Sequence, residues 1–150
     1  MIDRRWIGHA LGTSVLPIER TRLRFFAKAI GETDPVYLDE AAARAAGHAD
    51  LPAPPTFLFA AELDSGATDR LLADLDVPIT TILHGEQSFR YHRTACAGDV
   101  VTVDSHIADI YDRKNGALGF IVRESRAVNQ RAELVAELRT VIVVRQEARA

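Results

Sequence analysis

The spacing of hydrophobic positions changes about halfway along the chain. In the first half apolar residues recur at intervals of three and four, as expected of helices that pack one face on a core. The clearest example is the set Leu23, Phe26, Ala27 and Ile30. From Thr80 onward apolar and polar residues alternate instead, which is typical of half-buried strands. The pattern therefore predicts helices and loops first and a sheet afterwards.

Local signals predict three more helices. Asp39 is suited to cap a short alanine-rich helix over 40–46, because its side chain can accept a free backbone N–H group of the first turn. Pro55 is tolerated in the first turn of a helix, and it can open an almost wholly apolar one that runs to Leu63. A helix that is apolar on all sides is expected to be buried. A further short helix is predicted over 69–75.

The second half offers four long strands. They are predicted at 80–93, 100–112, 117–129 and 132–145. Asn115 and Gly116 favour a tight hairpin, since both residues accept positive φ, and Gly98 marks another turn. Strands joined in succession by short turns form an antiparallel meander. With the apolar helix in its concave face, the predicted fold is α+β, a curved sheet wrapped around one helix, in a single domain over residues 1–150.

Composition excludes several classes of function. The chain has 150 residues, 47% of them hydrophobic and 26% charged, which is ordinary for one globular domain. Its net charge of −3 argues against nucleic acid as the main partner. The single cysteine, Cys96, excludes a disulfide within the chain and a cysteine-rich zinc site. No apolar run reaches the roughly 18 to 20 residues that span a bilayer, and the first residues lack the apolar stretch of a secretion signal. A cytoplasmic location is therefore expected.

Three segments carry a resemblance to a known family. They are Gly-Glu-Thr-Asp-Pro-Val-Tyr-Leu-Asp at 31–39, Asp-Leu-Pro-Ala-Pro-Pro-Thr-Phe at 50–57, and His-Gly-Glu-Gln-Ser-Phe-Arg-Tyr-His-Arg at 84–93. In order and spacing they resemble the MaoC-type dehydratases and hydratases of the hot-dog fold, and within that superfamily the FAS1-like dehydratase branch. The resemblance implies reversible conversion of a 3-hydroxyacyl thioester into its trans-2-enoyl form. It also implies an acyl group carried by coenzyme A or acyl carrier protein, and no further cofactor.

The first segment departs from the catalytic pattern of that superfamily. The catalytic branch carries Gly-Asp-x-Asn-Pro-x-His, in which Asp and His form the acid/base pair. This sequence has Glu32, Asp34 and Tyr37 at the Asp, Asn and His positions. Glu32 could act as a base, but the unperturbed pKa of tyrosine is about 10 against about 6.5 for histidine. His84 and Glu86, two residues apart on a predicted strand and therefore on one face, are further catalytic candidates, with Glu86 orienting the imidazole.

The substrate-binding candidates lie in the second and third segments. A thioester carbonyl gains negative charge during the reaction, so hydrogen-bond donors must point at its oxygen. The predicted helix at Pro55 would offer the amides of Thr56 and Phe57 for this purpose. Gln87 and Arg90 complete the set of candidates, Arg90 as a contact to carrier phosphates. His84, Glu86 and His92 could be considered as metal ligands. Nothing in the sequence provides the further groups that would orient such ligands, so no metal is expected.

Each candidate also has a structural interpretation. Asp34 suits a turn before Pro35, Tyr37 suits a half-buried aromatic position, and the polar stripe of the third segment suits the solvent face of a sheet. Three functions remain open: a hydratase or dehydratase, a non-catalytic acyl-binding subunit that needs a hot-dog partner with the acid/base pair, and a hot-dog thioesterase. The open sheet edge predicts a homodimer or a heterodimer with another hot-dog subunit.

Overall fold

A single five-stranded antiparallel sheet organises the protein. The computed structural model describes residues 1–146. The strands are β1 (Ala10–Pro17), β2 (Ile82–Tyr91), β3 (Val100–Arg113), β4 (Leu118–Val128) and β5 (Leu134–Arg145). Their order across the sheet is β1-β3-β4-β5-β2, so β1 and β2 form its two edges. This α+β architecture confirms the predicted fold class.

Four α-helices and four short 3₁₀ turns connect or cover the strands. The helices are α1 (Arg20–Ala29), α2 (Glu40–Ala45), α3 (Ala60–Asp64) and α4 (Ala67–Asp74). The 3₁₀ turns cover Arg4–Trp6, Pro35–Tyr37, Phe57–Phe59 and Ile79–Thr81. Asp39 caps α2 as predicted, since its carboxylate accepts the N–H of Ala42 at 2.8 Å. No helix among residues 1–146 is long and apolar enough to cross a membrane.

The predicted meander is correct for three strands and wrong for the fourth. β3, β4 and β5 pair in succession. The hairpin at Asn115 and Gly116 forms as well, although its loop has four residues and places Lys114 at positive φ too. β2 pairs with β5 rather than β3. The turn near Gly98 therefore does not close a hairpin, because the chain leaving β2 bonds to the 51–53 segment before β3 begins.

The strand β1 was not predicted. Its pairing with β3 is interrupted between Ala10 and Gly12, and Gly12 has a φ of +85°. Beyond this irregularity only Ser14 and Leu16 are buried. Because so few positions alternate, the segment shows no clear strand pattern. Its pairing along one side of β3 makes β1 the edge of the sheet opposite β2.

Two hydrophobic clusters fill the space between the sheet and the helices. The first surrounds Phe57 and Leu58 and includes Val101, Val103 and Leu138. The second surrounds Leu71 and consists mainly of isoleucines and valines of the far ends of the strands: Ile107, Ile110, Ile121, Ile142 and Val144. The core is therefore divided along the strand direction, and the residues between the two clusters are polar.

Candidate functional site

The loop before α2 holds the two acidic candidates, and both bond to their own backbone. The Glu32 carboxylate accepts the N–H groups of Thr33 at 2.8 Å and Asp34 at 2.9 Å. Asp34 caps the turn that follows, because its side chain accepts the N–H of Val36 at 3.0 Å. Both carboxylates thus have a structural task, as expected of Asx-type turns.

Tyr37 faces a different cavity from Glu32. That cavity has a volume of about 150 Å³, and its wall includes Tyr37, His48, Pro55, Tyr91 and Arg93. Glu32 instead lines a surface depression beside α1. Burial raises the pKa of Tyr91 to about 12, so its phenol stays protonated at neutral pH. The first cavity consequently offers hydroxyl donors and one guanidinium, but no carboxylate among its lining residues.

The buried helical segment begins after Pro55, which is later than predicted. Pro55 and Thr56 are exposed, and the first helical turn begins at Phe57 in 3₁₀ geometry. The Phe57 N–H donates to the carbonyl of Pro54 at 2.9 Å, so this amide is not available to a substrate. The expected apolar burial is confirmed for Phe57 and Leu58, both about 1% exposed. Phe57 packs edge-on against Phe26, with ring centroids 5.3 Å apart.

His84 and Glu86 lie on opposite faces of β2, which corrects the predicted shared face. The cause is a bulge at Gly85, where the pairing of β2 with β5 shifts by one residue. A bulge reverses the alternation of side chains beyond it. The His84 ring packs edge-on against Phe59 on the helix side, with centroids 5.1 Å apart. Glu86 accepts from Arg139 at 3.0 Å on the other side of the sheet.

Glycine is required at this bulge for reasons of space. A Cβ atom at Gly85 would lie 2.6 Å from the Cγ2 of Val143 and 3.1 Å from the backbone oxygen of Val141. Neither distance leaves room for a methyl group. A glycine inside a strand is the kind of sequence signal that accompanies such a bulge.

Gln87 and Arg90 also face opposite ways. Gln87 faces the helices, and its side-chain amide lies 2.7 Å from Thr140 Oγ1. Arg90 lies on the outer face in a wide groove of about 960 Å³, with Glu137 and Arg139 nearby. Its Nε is 4.0 Å from Glu137, which also bonds to His92 at 2.9 Å. Glu86, Arg90 and His92 thus share the outer face, whereas His84 and Gln87 share the inner one.

A buried ion pair that the sequence analysis did not identify lies between the two hydrophobic clusters. Glu62 projects from α3 and pairs with Arg123 of β4, and both side chains are about 1% exposed. The same carboxylate accepts from the hydroxyls of Ser125 and Thr140. Arg123 also donates to Thr68 at 3.1 Å. Glu62 gives a sequence signal, because it interrupts the apolar segment 57–63, whereas Arg123 only opens the polar run at 123–126. Nothing in the sequence links two positions so far apart.

These polar residues form a row across the sheet. Gln87 pairs with Thr140 in register, and Thr140 pairs with Arg123 on its other side. Ser125 bonds to Ser105 at 2.9 Å one step further along the strands. Burial lowers the pKa of Arg123 below its usual value, and the attraction of Glu62 opposes that shift. We refer to Glu62, Gln87, Ser105, Arg123, Ser125 and Thr140 as the polar layer.

A second cavity of about 170 Å³ borders the polar layer. Phe59, Leu63, Leu83, His84, Thr140 and Arg123 contribute to its wall. Three of these residues are exposed at its mouth: Leu63 at 56%, Leu83 at 53%, and His84. This cavity and the one at Tyr37 both adjoin β2, which among residues 1–146 has β5 on one side and no strand on the other.

The predicted catalytic residues are not brought together in this chain. Glu32 and Asp34 bond to their loop, Tyr37 faces one cavity, His84 faces another, and Glu86 lies on the outer face. Within residues 1–146, no candidate carboxylate hydrogen-bonds to a candidate base. Acid/base chemistry on an acyl thioester needs both groups within hydrogen-bond reach of the reacting atoms. One subunit alone does not provide this arrangement.

Comparison with known proteins agrees with the fold. The sequence profile of the FAS1-like, dehydratase domain region matches residues 5–138. A UPF0336 protein from Parafrankia sp. is 40% identical over 141 residues, which is 91% of this chain and 89% of that one.

Two solved structures extend the likeness to three dimensions. The first is a chain of the C-terminally truncated HadBC (3R-hydroxyacyl-ACP dehydratase) complex from Mycobacterium tuberculosis. It superimposes with a TM-score of 0.77 and 25% identity, and the match covers 92% of this chain and 96% of that chain. A MaoC-like dehydratase superimposes with a TM-score of 0.81 and 26% identity, covering 95% of this chain and 43% of that chain.

Proposed function

Because the chain belongs to the family of the FAS1-like dehydratase domain region, we propose that it is the acyl-binding subunit of a hot-dog dehydratase or hydratase that acts on 3-hydroxyacyl and trans-2-enoyl thioesters. The observation that carries this proposal is the separation of Glu32, Tyr37 and His84 into three places. A second hot-dog subunit would then supply the acid/base pair. The family match favours a dehydratase over a thioesterase.

The free edge of β2 is the proposed contact with that partner subunit. An unpaired edge strand presents backbone N–H and C=O groups that a second sheet can bond. Two apolar side chains near this edge, Leu83 and Ile79, are 53% and 64% exposed. Both cavities adjoin the same strand. A partner on β2 would therefore lie beside both of them.

A role in binding is proposed for the cavity at Tyr37. Its proline-lined wall leads to the apolar cluster around Leu58, and the hydroxyls of Tyr37 and Tyr91 and the guanidinium of Arg93 are donors. Donors of this kind suit the carbonyl of an acyl thioester and the phosphates of its carrier. Catalytic proton transfer is assigned to the partner.

The decisive test is a hydration assay with crotonyl-CoA, followed by loss of the enoyl absorbance. The purified chain alone should show no rate above the uncatalysed one. The chain with a co-purified hot-dog subunit that contains Gly-Asp-x-Asn-Pro-x-His should hydrate the substrate. Replacing that subunit's histidine should abolish the rate, whereas Tyr37→Phe in this chain should change KM more than kcat. Activity of the isolated chain that Glu32→Gln or His84→Ala abolishes would refute the proposal.

Association through β2 has its own test with a matched control. Leu83→Glu places a charge at the proposed contact, and Val15→Glu places one at an equally exposed apolar position on the opposite edge, where Val15 is 62% exposed. Light scattering should show that Leu83→Glu dissociates the assembly and Val15→Glu does not. The reverse result would assign the contact to β1.

A further inference from the structure

The cavity between α3 and β2 contains a charged donor without a partner. The Nε of Arg123 makes no hydrogen bond in the part of the chain that the structure describes. The side chain is about 1% exposed, so solvent outside the protein does not reach this atom. A buried donor that lacks a partner is costly, and such groups are rare in native proteins. Arg123 contributes to the wall of the cavity, which makes a molecule inside it the natural acceptor.

Gln87 adds a second free group beside the first. Its Nε2 also has no partner among residues 1–146. The adjacent Thr140 hydroxyl has one proton and already lies within reach of Glu62 and of the Gln87 amide. Whichever way that amide is turned, one of its two polar atoms stays free. The polar layer therefore has unused hydrogen-bonding capacity at Gln87 as well as at Arg123.

The charge balance selects the kind of acceptor. Glu62 already neutralises Arg123, and its carboxylate also receives the hydroxyls of Ser125 and Thr140. A second anion here would leave an uncompensated buried charge, which is strongly unfavourable. An alcohol would bring a donor that needs an acceptor of its own, whereas a carbonyl group brings none. An uncharged carbonyl group accepts without donating and so fits the free Nε–H.

The size and lining of the cavity select the rest of the molecule. Phe59, Leu63 and Leu83 give it a mostly apolar wall. Its volume is about 170 Å³, and an apolar cavity of about 150 Å³ is known to hold benzene, a molecule of about six heavy atoms. The exposed Leu63 at its mouth provides an apolar entrance.

We propose that the cavity between α3 and β2 binds a compact, uncharged carbonyl compound of about six heavy atoms, and that the Nε–H of Arg123 donates to its carbonyl oxygen. This site is separate from the cavity at Tyr37, to which the acyl thioester is assigned. Its occupant adjoins the edge strand, so it would lie next to the partner subunit.

Cyclopentanone and methylenecyclopentane provide a matched pair of probes, because they have the same shape and differ in the acceptor oxygen. The chain is labelled with ¹⁵N and ¹³C and studied in its native assembly with any partner unlabelled. The side-chain signal of Arg123 is assigned through bonds. Cyclopentanone should shift the Arg123 Nε–H signal saturably and bind about tenfold more tightly than methylenecyclopentane, the low end for a hydrogen bond to a charged group. Cyclopentanecarboxylate should not shift it.

A double variant tests the source of that selectivity. Glu62→Leu with Arg123→Met removes both charges together, a replacement that buried ion pairs commonly tolerate. In this variant the two neutral probes should bind with equal affinity. Arg139→Met, on the outer face of the sheet, is the control and should leave the tenfold preference unchanged.

The unaltered chain gives the result that would overturn the proposal, so the test does not depend on how the variants fold. An Arg123 signal that does not move, with shifts confined to residues around Tyr37 or His48, would exclude the site. Equal affinity for cyclopentanone and methylenecyclopentane would exclude the hydrogen bond. A cavity that holds water alone would give the first of these results. Neither outcome bears on crotonyl-CoA hydration, so the proposed function stands or fails separately.

Discussion

The buried pair of Glu62 and Arg123 makes a quantitative prediction about stability. Arg123→Met leaves the Glu62 carboxylate in the core with two hydroxyl donors and no counter-charge. Removing one partner of a buried ion pair typically costs about 3 to 5 kcal/mol. Native domains have a total stability of about 5 to 15 kcal/mol. The variant should therefore lose a large fraction of its free energy of unfolding.

Removing both charges should cost far less than the sum of the two single changes. In Glu62→Leu with Arg123→Met, Ser125 keeps its bond to Ser105 and Thr140 keeps its bond to Gln87. Few polar groups are then left without partners. The double variant should lie within about 1 kcal/mol of the unaltered chain or exceed its stability.

The free energy of unfolding of each variant is measured by urea unfolding followed by circular dichroism. All variants are compared at one protomer concentration, because association contributes to apparent stability. Arg139→Met is the control, since its pairing with Glu86 is solvent-exposed and should be worth at most about 1 kcal/mol. A loss below about 1 kcal/mol for Arg123→Met would refute the reasoning. So would a double variant as unstable as the two single variants added together.

Three further predictions follow from local geometry. The paired Arg20 holds the pKa of Asp50 well below its usual range, so Asp50 stabilises the fold above about pH 4 and stabilises it less as the pH falls towards the depressed pKa. Asp50→Asn should therefore flatten the decline of stability at acid pH. An unchanged decline would exclude this role. Gly85→Ala should destabilise the fold by about 1 to 3 kcal/mol in denaturant unfolding. Adding Val143→Ala should recover part of this loss, because it removes the contact at 2.6 Å. If no stability is recovered, the strain lies in the backbone. An ultraviolet absorbance titration should show that Tyr91 ionises at about pH 12. Its contribution to stability is present below about pH 10 and should disappear as the pH rises through 12. Ionisation near pH 10 would show that the phenol is solvated.

Local patterns carried enough information for those elements that depend on near neighbours. Asp39 caps α2 because capping involves residues three apart. The β3–β4 hairpin forms where Asn115 and Gly116 accept positive φ. The bulge at Gly85 was indicated by one glycine, but its effect on the facing of His84 required the pairing with β5.

Features that depend on distant pairing were not available from the sequence. Local turns do not show that β2 lies beside β5, because the strands between them in the sequence are equally apolar and are equally plausible neighbours. Glu62 and Arg123 are 61 positions apart, and neither residue taken alone indicates its partner. The family motifs locate Glu32, Tyr37 and His84 along the sequence, but a motif does not contain the distances between side chains, and the structure places these three apart.

The ion pair has a consequence for where α3 can rest on the sheet. Apolar side chains make similar contacts when a helix is displaced lengthwise, so they discriminate poorly between neighbouring placements. A displacement by one turn, about 5.4 Å, would take Glu62 away from Arg123, Ser125 and Thr140 together. Two uncompensated charges would then be enclosed in the interior, at a cost of several kcal/mol. The carboxylate thus admits a single lengthwise placement of the helix, and that placement sets the distance from Phe57 to the edge strand.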